Sequence, residues 1–108
     1  REPDPLVTDA LVVRLRAAGF EARPEEQKVA LIAALADVGD DHAVPALEEA
    51  LVRGGWFARR TPERTAAARA LARMGTTAAR SALEQGLRHR SDAVREACDD
   101  ALAQRGTA

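Results

Sequence analysis

Tyrosine is absent from this chain of 108 residues, and Phe20, Trp56 and Phe57 are its only aromatics. Strands favour aromatic and β-branched side chains, so this scarcity argues against a sheet. Cys98 is the single cysteine, which excludes an internal disulfide framework and fits a reducing compartment. No apolar run approaches the roughly 18 residues that a membrane-spanning helix needs, and no secretory leader is visible. Histidine is limited to His42 and His89. No Ser/His/Asp or Cys/His constellation and no phosphate-cradling glycine loop can be assembled, so no catalytic site, metal site or cofactor is expected.

What is present is alanine, with 25 residues, together with leucine, arginine and glutamate. These are strong helix formers, and small side chains let helices pack closely. Leu35-Ala36-Asp37-Val38-Gly39 returns 36 residues later as Leu71-Ala72-Arg73-Met74-Gly75. The register continues: Ala43 matches Ala79, Ala46 matches Ala82, Leu47 matches Leu83, and Leu51 matches Leu87. One period earlier stand Ala10, Leu11 and Leu15. A period in this range marks a solenoid, in which each unit buries its apolar face against its neighbours.

Start and stop signals divide the chain into six helices. Asp4 and Pro5 open the first, and Gly19 ends it; Pro24 opens the second, with Val29, Ile32, Leu35 and Ala36 as its apolar stripe, and Gly39 stops it. Asp40 caps the third, which ends at Gly54-Gly55, and Thr61-Pro62-Glu63 starts the fourth, which ends at Gly75. Thr76 starts the fifth with Ala79, Leu83 and Leu87 inward. Ser91 caps the sixth, with Val94, Ala97, Cys98, Ala101 and Leu102 inward and Glu96, Asp99, Asp100 and Gln104 outward. The three hairpins span residues 4–39, 40–75 and 76–105. The last linker is short, so Ala66, Ala70 and Leu71 align with Ala97, Ala101 and Leu102 at an interval of 31.

The run Gly39-Asp40-Asp41-His42-Ala43-Val44-Pro45-Ala46-Leu47 resembles the inter-repeat turn and first helix of bacterial HEAT repeats of the PBS-lyase type, and Val94-Arg95-Glu96-Ala97 resembles their second helix. The resemblance covers residues 24–104, and 5–18 more loosely. It implies an all-α, right-handed solenoid of three hairpins and six helices. It also implies a working face lined by the second helices (24–38, 62–74 and 92–104), a structural Asp92–Arg95 pair, and a bacterial, cytoplasmic setting. The family serves mainly as scaffolds and regulators. Neither histidine precedes a glutamate, unlike the His-Glu pairs of metal-binding HEAT enzymes that resemble deoxyhypusine hydroxylase.

Net charge is −1, but residues 1–52 balance at −6 and residues 53–95 at +7. A linear stack turns this asymmetry into separation in space. The linker Arg53–Thr61 departs most from the repeat and holds two aromatics. Trp56, Phe57, Arg59 and Arg60 are therefore candidate contact residues, with the alternative that the aromatics cover the alanine-rich core. Arg69 and Arg73 share a helix face, and Arg64 and Arg80 extend the basic zone. These residues point to a protein partner with an acidic surface or segment. Near-neutral charge and a pI of about 6.2 disfavour nucleic acid. A nucleic-acid-binding repeat, as in the HEAT-like DNA glycosylases, is the alternative, and a phycobilin-lyase-like enzyme comes third. The first helix is apolar around more than half its girth, so residues 5–18 are expected to pack against another repeat or a second copy. A start at Arg1 suggests the C-terminal part of a longer protein.

Overall fold

The computed structural model describes residues 9–10, 12–13, 24–38, 41–53 and 61–106. Within them lie five α-helices: α1 (Glu25–Val38), α2 (Val44–Val52), α3 (Pro62–Met74), α4 (Thr77–Gly86) and α5 (Asp92–Gly106). None of the described residues forms a strand. Most of the expected first helix lies outside the described residues. Residues 9–10 and 12–13 are helical, with Val12 packed on the core and Val13 exposed.

Helix α3 shows how local sequence sets a boundary. Thr61 is extended (φ −139°, ψ 152°), and its hydroxyl accepts the Arg64 amide at 3.1 Å; Pro62 follows, where its missing N–H costs nothing. At the other end Gly75 adopts the left-handed conformation (φ 64°) and returns its amide to the Leu71 carbonyl at 3.3 Å. Thr76 and Ser91 cap α4 and α5 in the same way, accepting the amides of Ala79 and Val94. Helix α2 departs from expectation. A 3₁₀ turn over Asp41–Ala43 precedes it, it begins at Val44 with Pro45 in its first turn, and it has no side-chain cap. It ends at Val52, ahead of the two glycines, which lie outside the described residues.

The helices form two layers. Second helices α1, α3 and α5 pack side by side, first helices α2 and α4 pack on each other, and α3 also packs on both α2 and α4. Equivalent positions occupy equivalent seats: Leu35 and Leu71, Ala43 and Ala79, and Leu47 and Leu83 are all buried. Just over half of the buried apolar residues are alanines, which permits this close stacking. Leu51 is buried, whereas Leu87, one period on and expected inward, is 37% exposed.

The second and third hairpins carry the same polar clasp. Arg64, at the start of α3, donates from Nε to the Leu51 carbonyl at 2.8 Å and from Nη2 to the Arg53 carbonyl. Arg95, at the start of α5, donates to the His89 carbonyl. Arg53 and His89 are one period apart. The last carbonyls of a first helix have no intrahelical partner, and an arginine from the returning helix supplies one.

Polar groups also reach from one hairpin to the next. The Glu25 carboxylate accepts the Glu63 amide at 2.9 Å, placing an acid at the N-terminus of the neighbouring helix. Thr76 donates its hydroxyl proton to Asp41 at 2.6 Å while its oxygen caps α4. Asp37 pairs with Arg73, one period away.

Candidate functional site

The parallel second helices leave a groove of about 590 Å³ between α1 and α3, lined by Val29 and Ala33 on one side and Thr65, Ala66, Arg69, Ala70 and Arg73 on the other, with Thr61 and Pro62 at one end. Its cause lies in the sequence. Alanines at 33, 66 and 70 are too small to fill the space between adjacent backbones. Val29, expected in the core stripe, is only half-buried and serves as floor. Arg69 and Arg73, four residues apart, stand exposed on the α3 wall.

A second, much smaller depression of about 60 Å³ lies between α3 and α5, lined by Thr61, Arg64, Thr65, Ala93, Glu96, Ala97 and Asp100. Thr61 and Thr65 line both depressions, so the second-helix face is continuous. Its charge changes sign across the stack, from Arg69 and Arg73 on α3 to Glu96 and Asp100 on α5.

Of the residues singled out from sequence, the structure brings Arg69 and Arg73 to one groove. Trp56, Phe57, Arg59 and Arg60 lie outside the described residues. Arg64 does not belong to the basic surface. It is 5% exposed, and its guanidinium is consumed by the hairpin clasp. Burial pushes its pKa down, Glu63 beside it pushes it up, and Arg53 lowers it; an arginine remains charged at neutral pH regardless. The basic zone is further thinned by pairing: Arg73 with Asp37, Arg95 with Asp92, and Arg53 with Glu63 at 3.3 Å. Arg69 and Arg80 stay exposed.

The same network holds two more buried charges. Lys28 and Glu63 are each 7% exposed, and Lys28 Nζ stands 3.7 Å from Glu63 Oε2. The sequence carried a signal for these cations. Lys28, Arg64 and Arg95 are spaced by the two repeat intervals, 36 and 31, and a charge locked to the repeat in the first turn of every second helix points to structure rather than to a partner.

The remaining candidates fall to structural roles. Cys98 is fully buried, and burial raises its thiol pKa from 9.0 to about 11. His89 is half-buried, and its Nδ1 accepts the Ser91 amide at 3.0 Å. His42 is exposed in the 3₁₀ turn. Among the described residues no group of three or more His, Cys, Asp or Glu side chains is placed to hold a metal ion, and no helix is long and apolar enough to cross a membrane.

Hairpins of this kind, repeating every 36 residues and clasped to their neighbours, define an α-solenoid of short helical repeats. The sequence pattern of the PBS lyase HEAT-like repeat matches residues 27–53 and again residues 63–89. The chain belongs to that family of HEAT-repeat proteins. No curated protein and no solved structure is significantly similar to it. Each match begins in a second helix and ends just past the next first helix, so the pattern spans the junction between hairpins.

Proposed function

We propose that this chain is a non-catalytic protein-interaction module, which holds an acidic segment of a partner protein against its second-helix face. The observation that carries the reading is the α1–α3 groove, apolar on its floor and bearing Arg69 and Arg73 on one wall. An apolar cleft with a few placed polar groups suits a segment that buries one or two side chains while its carboxylates meet the arginines. Membership of a family of helical repeats supports a surface-presenting role. The linker bearing Trp56, Phe57, Arg59 and Arg60 runs in sequence directly into Thr61 at the groove's end, and those side chains belong to the proposal on that ground.

The alternative of a nucleic-acid surface is disfavoured by the fate of the arginines. With Arg64 buried and Arg53, Arg73 and Arg95 paired, the second-helix face is of mixed sign rather than a continuous basic track. A bacterial, cytoplasmic setting belongs to the same proposal, supported by the preference for alanine and arginine and by the free buried thiol. So does self-association through residues 5–18, where Val13 is 67% exposed.

The test is affinity capture from the native source with the wild-type chain and with Arg69→Glu and Val29→Asp variants whose far-UV circular dichroism is unchanged. Loss of the same captured protein in both variants is expected. A captured set that neither variant alters removes the groove from consideration.

A further inference from the structure

We infer that the occupant of the second-helix face is a peptide in the polyproline II conformation running across the helices, carrying an apolar side chain, a carboxylate and a cation in that order, each about three residues apart. The inference rests on the proposed role of the α1–α3 groove and narrows it: the acidic part of the occupant is confined to the α3 step, and a cation follows where the chain crosses to α5.

The argument starts from register. Asp37 pairs with Arg73, and Val29 and Ala33 face Thr65 and Arg69 across the large groove, so α1 and α3 are parallel and offset by one period. Thr61, Arg64 and Thr65 surround the small depression together with Ala93, Glu96 and Asp100, and α3 packs between α1 and α5, so the carboxylates of α5 lie beyond α3 on the side away from α1. In the sequence register, residues 36 and 31 apart line up as Ala33, Arg69, Asp100 and as Val29, Thr65, Glu96. Crossing the layer, a ligand meets an apolar floor, then a cation, then carboxylates.

Arg69 and Asp100 are both exposed, and among the described residues neither side chain makes an ion pair or a hydrogen bond. They stand on adjacent helices with opposite charge and without each other. Packed helices lie about 8–10 Å apart, and a polyproline II chain advances about 3.1 Å per residue and returns a side chain to the same face every third residue, so successive helices meet side chains three residues apart. A helical ligand lying along the groove would meet Arg69 and Arg73 but not Asp100. A segment of acidic residues alone would set carboxylates against Glu96 and Asp100, where like charges repel.

Synthetic ten-residue peptides in a glycine–serine background test this by fluorescence anisotropy at low ionic strength. The first probe has a leucine, a glutamate three residues later and a lysine three residues after that, and it is made in both chain directions. The second exchanges glutamate and lysine, and the third replaces the lysine with glutamate. The first probe, in one of its directions, is expected to bind about tenfold more tightly than the second, since two favourable surface pairs become two repulsions. Double reversal, Arg69→Glu with Asp100→Lys, is expected to invert that preference. Equal binding of the first two probes, or no inversion in the double variant, overturns the inference. Tightest binding of the all-acidic probe, lost in Arg69→Glu, also overturns it while leaving the acidic-segment reading intact. Absence of saturable binding by any probe at about 1 mM protein, an affinity near −4 kcal/mol, overturns both.

Discussion

Glycine at position 86 is the last residue of α4, and its lack of a side chain is what lets α5 approach. A Cβ built there would lie 2.3 Å from Cys98 Sγ and 3.4 Å from Leu51 Cδ2. Ordinary contact begins near 3.5 Å, so the sulfur must move by more than an ångström. It is fully buried in a helix, where alternative χ1 rotamers are restricted, and overpacking of this kind costs about 1–3 kcal/mol. Against it stands the gain of about 0.5–1 kcal/mol from replacing a helical glycine. Gly86→Ala is therefore expected to destabilise the fold by roughly 0.5–2 kcal/mol, a fall in Tm on the order of 2–15 °C for a domain of this size. In a Cys98→Ala background the sulfur is gone, and the nearest atom at position 98 becomes the Cβ, 3.6 Å away. The same glycine substitution should then stabilise by about 0.5–1 kcal/mol. Thermal and urea unfolding of the four proteins, followed by circular dichroism, completes the cycle. If Gly86→Ala has the same effect in both backgrounds to within about 0.5 kcal/mol, the close approach of α4 and α5 is refuted.

The Cys98 thiol is neutral in the fold, with a pKa raised from 9.0 to about 11. The folded state thus holds its proton more tightly than the unfolded chain, and the associated stability is present below pH 9 and lost as pH rises from 9 to about 11, by ~2–3 kcal/mol. A pH series of urea midpoints should show this loss in the wild type and a shallower one in Cys98→Ala. Arg64→Met keeps the apolar stem but leaves the Leu51 and Arg53 carbonyls without their charged donor, so a loss of about 2–3 kcal/mol by urea unfolding is expected; a loss below about 0.5 kcal/mol would contradict the clasp. Thr76→Val removes both the α4 cap and the bond to Asp41 and should cost about 1–2 kcal/mol. Asp37→Ala breaks only an exposed pair and should change thermal stability by less than about 1 kcal/mol.

The repeat was readable because burial in a stack is itself periodic: Leu35 and Leu71, like Leu47 and Leu83, share a seat and therefore a residue type. Caps at Thr61, Thr76 and Ser91 were readable for a local reason, since each serves the amide three residues on. Arg64 was misread as surface because residue type alone does not tell a solvated guanidinium from one gripping carbonyls, and only its spacing from Lys28 and Arg95 separates the two. Leu87 was misread because equivalence with Leu51 one period earlier fixes a seat and not the neighbours that cover it. The groove itself was invisible in the pattern, since Ala33, Ala66 and Ala70 look like ordinary helix formers until neighbouring backbones define the gap between them. The Gly86–Cys98 contact was equally hidden: the corresponding positions in the middle hairpin are Ala50 and Ala67, so bulk has been transferred from one helix to its partner.

The bonds that reach from hairpin to hairpin have a consequence for how the array comes apart. Glu25 finishes the start of α3, and Asp41 braces the cap of α4, so a unit severed from its predecessor loses hydrogen-bond partners as well as greasy contacts. Melting should then spread across seams rather than stop at them, and a protein lengthened by duplicating residues 40–75 would set Thr61 in the place of Glu25 and Asp40 in the place of Thr76, leaving the added junction without either fastening.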